Sequence, residues 1–346
     1  MNLPRRELGR TGVSVTTIGL GGAPLGELFE IVNDAQADAV VATALEQGIN
    51  FFDTAPWYGH GQSEHRIGRP LRTRTPSDYV LSTKIGRVYS RPRNEASFVP
   101  SGPWVGGLRF DLHFDYSAAG VSRSYEDSLQ RLGVPRVDLL VIHDLDRSYH
   151  DDVTLAAHRA ELLSSGWAEL QALRANGDIA GIGAGINDQQ MMGWFLDHMD
   201  LDFFLIAMPY TLLDQAALKI GMAQCAQRGI GVVIGAPFAS GLLASGVSGN
   251  ATYGYVSADQ EVVVKARAIE SRCEAHGVPL AAAALQFPLA HPCVAAVIPG
   301  ATHPEMVAAN ATNLLFEIPD ALWTELAAEE LIHPDSPTPA AGWQRS

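Results

Sequence analysis

Asp53, Tyr58, Lys84 and His143 have types and spacing suited to proton transfer beside a redox cofactor. A tyrosine near its reference pKa of about 10 is a poor base at neutral pH. An ammonium within hydrogen-bond reach favours the phenolate, so Lys84 would let Tyr58 exchange a proton at working pH. A buried lysine keeps its charge only when paired, which is a role for Asp53. His143 can orient a carbonyl or hydroxyl oxygen. The set contains no nucleophile–base dyad and no metal-ligand spacing, so it points to hydride transfer in which a cofactor does the redox work. Taken singly, each residue has a plainer reading: Asp53 as a turn cap, Lys84 as a solvated strand-end lysine, His143 as a satisfied core histidine, Tyr58 as packing. Their joint placement favours the catalytic reading.

The elements that must position them follow from the hydrophobic pattern. Short apolar runs at 15–20, 49–52, 79–83, 137–142, 179–184, 203–207, 230–235 and 294–298 predict eight strands. Between them, segments such as 35–48, 122–132, 158–176, 188–198, 214–228 and 259–276 carry apolar residues at helical spacing, for example Val40, Val41, Ala44 and Leu45. Asp188, Asp214 and Asp259 stand where N-caps belong, and Gly48, Gly177, Gly229 and Gly277 where helices should stop. This alternation predicts a parallel α/β sheet. A dinucleotide-binding doubly wound sheet should show G-x-G-x-x-G after its first strand. Here Gly19-Leu20-Gly21-Gly22-Ala23 runs into Pro24, and Gly183-Ala184-Gly185 has Asp188 in place of the third glycine. A (β/α)8 TIM barrel is therefore predicted, with the site at the C-terminal strand ends. Asp53, Lys84 and His143 fall at the second, third and fourth of these.

Residues 1–332 are read as one barrel domain and 333–346 as a loosely packed, proline-rich tail with Pro334, Pro337 and Pro339. Residues 86–119 form a long excursion after the third strand, rich in aromatics, and loops of that length tend to be functional lids. Apolar residues make up 47% and charged residues 18% of the 346, which fits a protein with a large core. A formal net charge of -14 is a poor footprint for nucleic acid. Cys225, Cys273 and Cys293 suggest neither a disulfide framework nor a metal site, and a reducing cytoplasm is expected. Arg5-Arg6 leads into Glu7 without an apolar run, so no secretory signal is read, and the apolar stretch 280–290 is too short for a membrane span. No oligomeric state is predicted.

Three runs carry a resemblance: Phe51-Phe52-Asp53-Thr54-Ala55-Pro56-Trp57-Tyr58-Gly59, Leu81-Ser82-Thr83-Lys84 and Asp138-Leu139-Leu140-Val141-Ile142-His143. They resemble the signature segments of the aldo-keto reductases, and the likeness extends from Leu8-Gly9-Arg10-Thr11-Gly12 to Ile298-Pro299-Gly300. It implies Tyr58 as general acid/base, Lys84 and Asp53 as its tuning pair and His143 as the substrate-orienting group. It further implies that Asn187 binds the cofactor carboxamide, that Tyr210 stacks on the nicotinamide, that Pro237, Gly241 and Leu242 pass over the pyrophosphate, and that Gly300, Thr302 and Asn310 contact the adenosine end. Asn187 can instead be a helix N-cap, and Tyr210 a packing residue. Trp57 and Trp104 are candidate substrate walls.

Two positions depart from the family pattern: Ala207 where many members have glutamine, and Ile186 where they have serine. Residues 299–310 contain no lysine or arginine, only His303, so a 2′-phosphate would lack a cationic partner and NAD is expected over NADP. Phe114-Asp115-Tyr116-Ser117, Ser124-Tyr125-Glu126-Asp127-Ser128-Leu129 and Tyr210-Thr211-Leu212-Leu213-Asp214-Gln215 resemble a sub-branch containing L-fucose or D-threo-aldose 1-dehydrogenases and pyridoxal 4-dehydrogenase. The expected activity is oxidation of a sugar hemiacetal to a lactone, with pyridoxal oxidation as the alternative and NADPH-dependent aldehyde or ketone reduction behind both. A cofactor-sensing regulatory subunit is a different class, disfavoured by the complete tetrad. The expected partner is a small hydroxylated or carbonyl compound.

Overall fold

A computed structural model describes residues 2–246, 252–254, 256–340 and 342–345. Its centre is a parallel eight-stranded sheet: β1 (Leu20–Gly21), β2 (Phe51–Asp53), β3 (Val80–Ile85), β4 (Leu139–His143), β5 (Gly181–Ile186), β6 (Phe203–Ala207), β7 (Gly231–Gly235) and β8 (Val294–Ile298). Bridges Ile18 to Val297 and Gly21 to Gly300 join the first strand region to the last, which closes the (β/α)8 barrel. Such strands lie between two apolar layers, which is why they read as near-continuous hydrophobic runs. Phe51, Val141, Phe203, Leu205 and Val233 fill the barrel interior, while Phe52, Leu140, Ile142 and Phe204 face the helices.

Helix ends follow their sequence signals better than helix starts. Gln189 and not Asp188 is the N-cap of its helix, and Asp259 holds the N-cap position without a side-chain capping bond. The helix expected at 214–228 is a 3-10 turn, Ala216–Lys219, followed by Met222–Arg228, so Asp214 caps no α-helix. In α1 (Asp34–Glu46), Ala37, Val40, Val41 and Ala44 are buried on one face, and the Asn33 side chain accepts a hydrogen bond from the Gln36 amide as N-cap. In α3 (Ala118–Leu132; α2 is Gln62–Leu71), Ser117 caps the Gly120 amide, and Val121, Ser124, Tyr125, Ser128 and Leu132 form the buried stripe. The helix expected at 158–176 is longer at its start: α4 (Asp152–Glu161) runs through a π-helical turn, Leu162–Gly166, into α5 (Trp167–Asn176). Gly177 (φ 82) ends it in the left-handed conformation that glycine tolerates, as expected.

Three further expectations about elements are corrected. Residues 14–16 do not lead straight into the first barrel strand. Ser14–Thr16 pairs antiparallel with Arg5–Glu7, and Arg6 donates to the carbonyls of Leu289 and Val294, so this hairpin lies against the barrel. The 86–119 excursion is not wholly irregular, because Arg87–Ser90 pairs antiparallel with Asp111–Phe114. The tail is not loose: Trp343 Nε1 and Gln344 Nε2 both donate to Gln286 Oε1 on the helix Leu280–Gln286. Residues 341 and 346 of that tail lie outside the described residues. No helix among the described residues is long and apolar enough to cross a membrane.

Candidate active site

The parallel register brings the four predicted residues to one mouth of the barrel. Asp53 ends β2, Lys84 sits near the end of β3 and His143 ends β4. Lys84 is 1% exposed. Its Nζ donates to Asp53 Oδ2 at 2.6 Å and to the Thr54 carbonyl at 2.7 Å. Asp53 Oδ1 accepts from the Ser82 hydroxyl at 2.9 Å, so both carboxylate oxygens are occupied. Burial pushes the Asp53 carboxyl up and the Lys84 ammonium down, and their direct contact opposes both shifts. Lys84 Nζ lies 4.6 Å from the centroid of the Tyr58 ring. A cation at that distance favours negative charge on the phenol.

A close chain crossing fixes the loop that bears Tyr58. A Cβ on Gly26 would come within 2.5 Å of the Tyr58 carbonyl carbon, and one on Gly59 (φ 61) within 2.3 Å of the Gly26 oxygen. Only glycines let these two backbones touch. Trp104, buried in the excursion, packs edge-on against Trp57 with centroids 5.6 Å apart and tilted against Tyr58 at 5.8 Å.

The His143 ring meets Tyr58 edge-on at 5.8 Å. Burial first, then the Arg87 and Lys84 charges, holds the His143 imidazole well below its usual value, so it is neutral at pH 7. Beside it, Asp144 is buried, and burial opposed by Arg87 pushes its carboxyl up to about 6. Asp144 (φ 53), Met208 (φ 82) and Ala236 (φ 49) follow β4, β6 and β7 in a backbone region that favours glycine. Such strain costs on the order of 1–3 kcal/mol per residue and tends to gather at functional sites.

Two adjoining cavities open at this mouth. One, of about 200 Å³, is lined by Lys84, His143, Asp144, Asn187 and the rings of Trp57, Trp104 and Tyr149. The other, of about 320 Å³, extends past Pro237, Gly241, Gly300 and Thr302. Tyr58, Leu205 and Ala207 line both, so Tyr58 stands at their junction.

Four of the eight predicted cofactor residues, Pro237, Gly241, Gly300 and Thr302, border the second cavity. Asn187 borders the first, and its Nδ2 donates to Asp144 Oδ1 at 3.3 Å. Tyr210, Leu242 and Asn310 line neither cavity and are buried. The chain turns at Met208, and the Tyr210 ring beyond it packs against Phe287 and His291, with centroids 5.8 and 5.7 Å away. Ile186 and Ala207, the two departures from the family pattern, line the first cavity. The sequence reading gave no role to Arg87, Asp144, Tyr149 or Glu30. A cation three residues beyond Lys84, inside an aromatic-rich segment, was the one available signal for Arg87.

Comparison with known proteins agrees with this geometry. Residues 17–329 match the Aldo/keto reductase family. The chain is 41% identical over 335 residues to a pyridoxal 4-dehydrogenase from Microbacterium luteolum, covering 95% of this chain and 98% of that one. It is 36% identical over 337 residues to a D-threo-aldose 1-dehydrogenase from a Pseudomonas species, covering 95% and 97%. Among solved structures, an aldo-keto reductase from Bacillus halodurans in its holo form superposes with a TM-score of 0.74 at 21% identity over the whole of both chains, which is a likeness of fold. With the family matched along most of its length and the tetrad gathered at the barrel mouth, this chain belongs to the aldo/keto reductases, oxidoreductases that use NAD(P)(H).

Proposed function

We propose that the protein is an NAD-dependent dehydrogenase that oxidises a cyclic hemiacetal to a lactone, with the hemiacetal form of pyridoxal as its first candidate substrate. The observation that carries this reading is the first cavity, where Trp57, Trp104 and Tyr149 wall a space bordered by Tyr58, Lys84 and His143. Aromatic faces suit a flat ring. The 41% identity to a pyridoxal 4-dehydrogenase supports the same choice. A sugar hemiacetal is the second reading, favoured by Asp144 and Asn187, whose polar groups on the same wall could take hydroxyls, and by the aldose dehydrogenase relative.

The second cavity fits a dinucleotide. Its lining includes Gly21, Gly22, Pro237, Gly241 and Gly300, and a Cβ on Gly241 would meet nothing within 4 Å. Among the described residues, the lining includes Glu30 and Asp53 but no lysine or arginine. A 2′-phosphate there would have no cationic partner, which supports NAD over NADP. When bound, NAD supplies the hydride acceptor. Tyr58 Oη takes the proton of the hemiacetal hydroxyl, with its phenolate favoured by Lys84, and Asp53 keeps Lys84 charged. His143 donates a hydrogen bond to the same substrate oxygen and orients it. The aromatic walls hold the ring and exclude water from the reacting carbon.

The test is the initial rate of reduced-nicotinamide formation with pyridoxal and with L-fucose in parallel, each with NAD and with NADP. Turnover of pyridoxal with NAD, and a loss of about 10²- to 10⁴-fold in kcat for Tyr58→Phe, is the expected result. Turnover of L-fucose alone would make the second reading the function. No turnover of either, or full activity in Tyr58→Phe, would overturn the proposal.

A further inference from the structure

We infer that Arg87 is a positioning residue that locks His143 in the tautomer with its proton on Nε2. The inference rests on His143 orienting the substrate oxygen, as proposed above.

Arg87 opens the hairpin strand Arg87–Ser90 directly after β3, and only 4% of it is exposed. Its guanidinium carbon lies 4.6 Å from the Trp57 ring, 4.3 Å from Phe114 and 5.1 Å from Tyr149. A cation enclosed by three rings and held by a hairpin has little rotational freedom. Its Nη1 reaches Asp144 Oδ2 at 2.8 Å and His143 Nδ1 at 3.3 Å.

Guanidinium nitrogens donate and never accept, and arginine does not lose its charge in proteins. The His143 nitrogen facing Nη1 must therefore be the acceptor, which puts the ring proton on Nε2. The other side of the ring points the same way. Nε2 lies 3.4 Å from Asp144 Oδ2, and an ionised carboxylate attracts N–H and repels a lone pair. That separation is longer than a well-made hydrogen bond, so Nε2–H remains available to a substrate oxygen. The charged or titratable groups facing the ring are Arg87 from the hairpin, Lys84 from β3, Tyr58 from the loop after β2 and Asp144 beside it. Both cations disfavour a second ring proton. Arg87 thus selects the donor nitrogen of His143, and it adds to burial in keeping the ring neutral.

Long-range 1H–15N correlation of the imidazoles in the 15N-labelled protein at pH 7.5 reads this without any substrate. His143→Gln assigns the signal among the 11 histidines. A protonated Nε2 with an unprotonated Nδ1 is expected for His143, and a proton on Nδ1 overturns the inference even if no variant folds. In Arg87→Met the two tautomers should mix. There kcat should fall by about 10- to 100-fold, part of the ~10²- to 10⁴-fold typical of a positioned proton-transfer group. Arg87→Lys, which keeps a cationic donor, should return the Nε2-protonated signal in part. An unchanged His143 signal in Arg87→Met reduces Arg87 to packing. Because the tautomer is read without turnover, failure of the substrate proposal would leave this result intact.

Discussion

Lys84 and Asp53 form an ion pair with almost no access to water. Taking both charges out of water is costly, so such a pair adds little net stability, while removing one partner strands the other. Lys84→Met should therefore lower the unfolding free energy by about 3–5 kcal/mol and abolish turnover. Lys84→Met combined with Asp53→Asn should recover much of the stability and none of the activity, with urea midpoints checking the first and NADH formation the second. A double variant as unstable as the single one would count against charge stranding as the cause. At this scale the tetrad was legible because each member lies at or just beyond a strand end, and strand ends can be read from apolar runs. Arg87 was not, because its contact with His143 depends on a hairpin that folds back over the mouth, and no periodicity marks that return. Nor did the sequence show Tyr210 turning into the wall at Met208.

Elements place these side chains more tightly than propensity alone would suggest. The crossing of Gly26 against Gly59 sets the height of the Tyr58 loop over β2. Gly26→Ala pushes a methyl into backbone that cannot move aside, so a cost of about 1–3 kcal/mol is expected together with a reduced kcat. Gly193 in the helix Gln190–His198 offers the contrast, since a Cβ there meets nothing within 4 Å. Gly193→Ala should leave kcat unchanged and raise stability by up to about 1 kcal/mol. Thermal melts and steady-state rates of the two variants decide the matter. Equal effects on kcat would mean that the crossing does not position Tyr58. Seven of the eight strands lay close to where their apolar runs predicted. The first did not, because residues 14–16 had two possible partners, and the antiparallel one at 5–7 took them.

For the whole molecule, strand–helix alternation and the missing glycine fingerprint pointed to a barrel, and the closing bridges from Ile18 and Gly21 complete it. Net charge pointed away from nucleic acid but left open how an acidic protein holds an anionic cofactor. Glycines and apolar residues make up most of the second cavity's lining, with Glu30 and Asp53 and no lysine or arginine among the described residues. Most nucleotide sites lose affinity when salt is added, because ions screen the attraction that built them. Here the long-range term is repulsive, between a chain of net charge -14 and a cofactor whose reduced form carries one more negative charge than its oxidised form. Raising ionic strength from about 10 to 150 mM shortens the screening length from about 30 to about 8 Å. NADH should therefore bind more tightly over that range, and NAD should change less, as fluorescence titration would show. Weakened NADH binding would mean that an attractive charge lies within reach of the cleft. If the repulsion holds, reduced cofactor leaves most readily in dilute buffer, and turnover limited by product release would slow as salt is added.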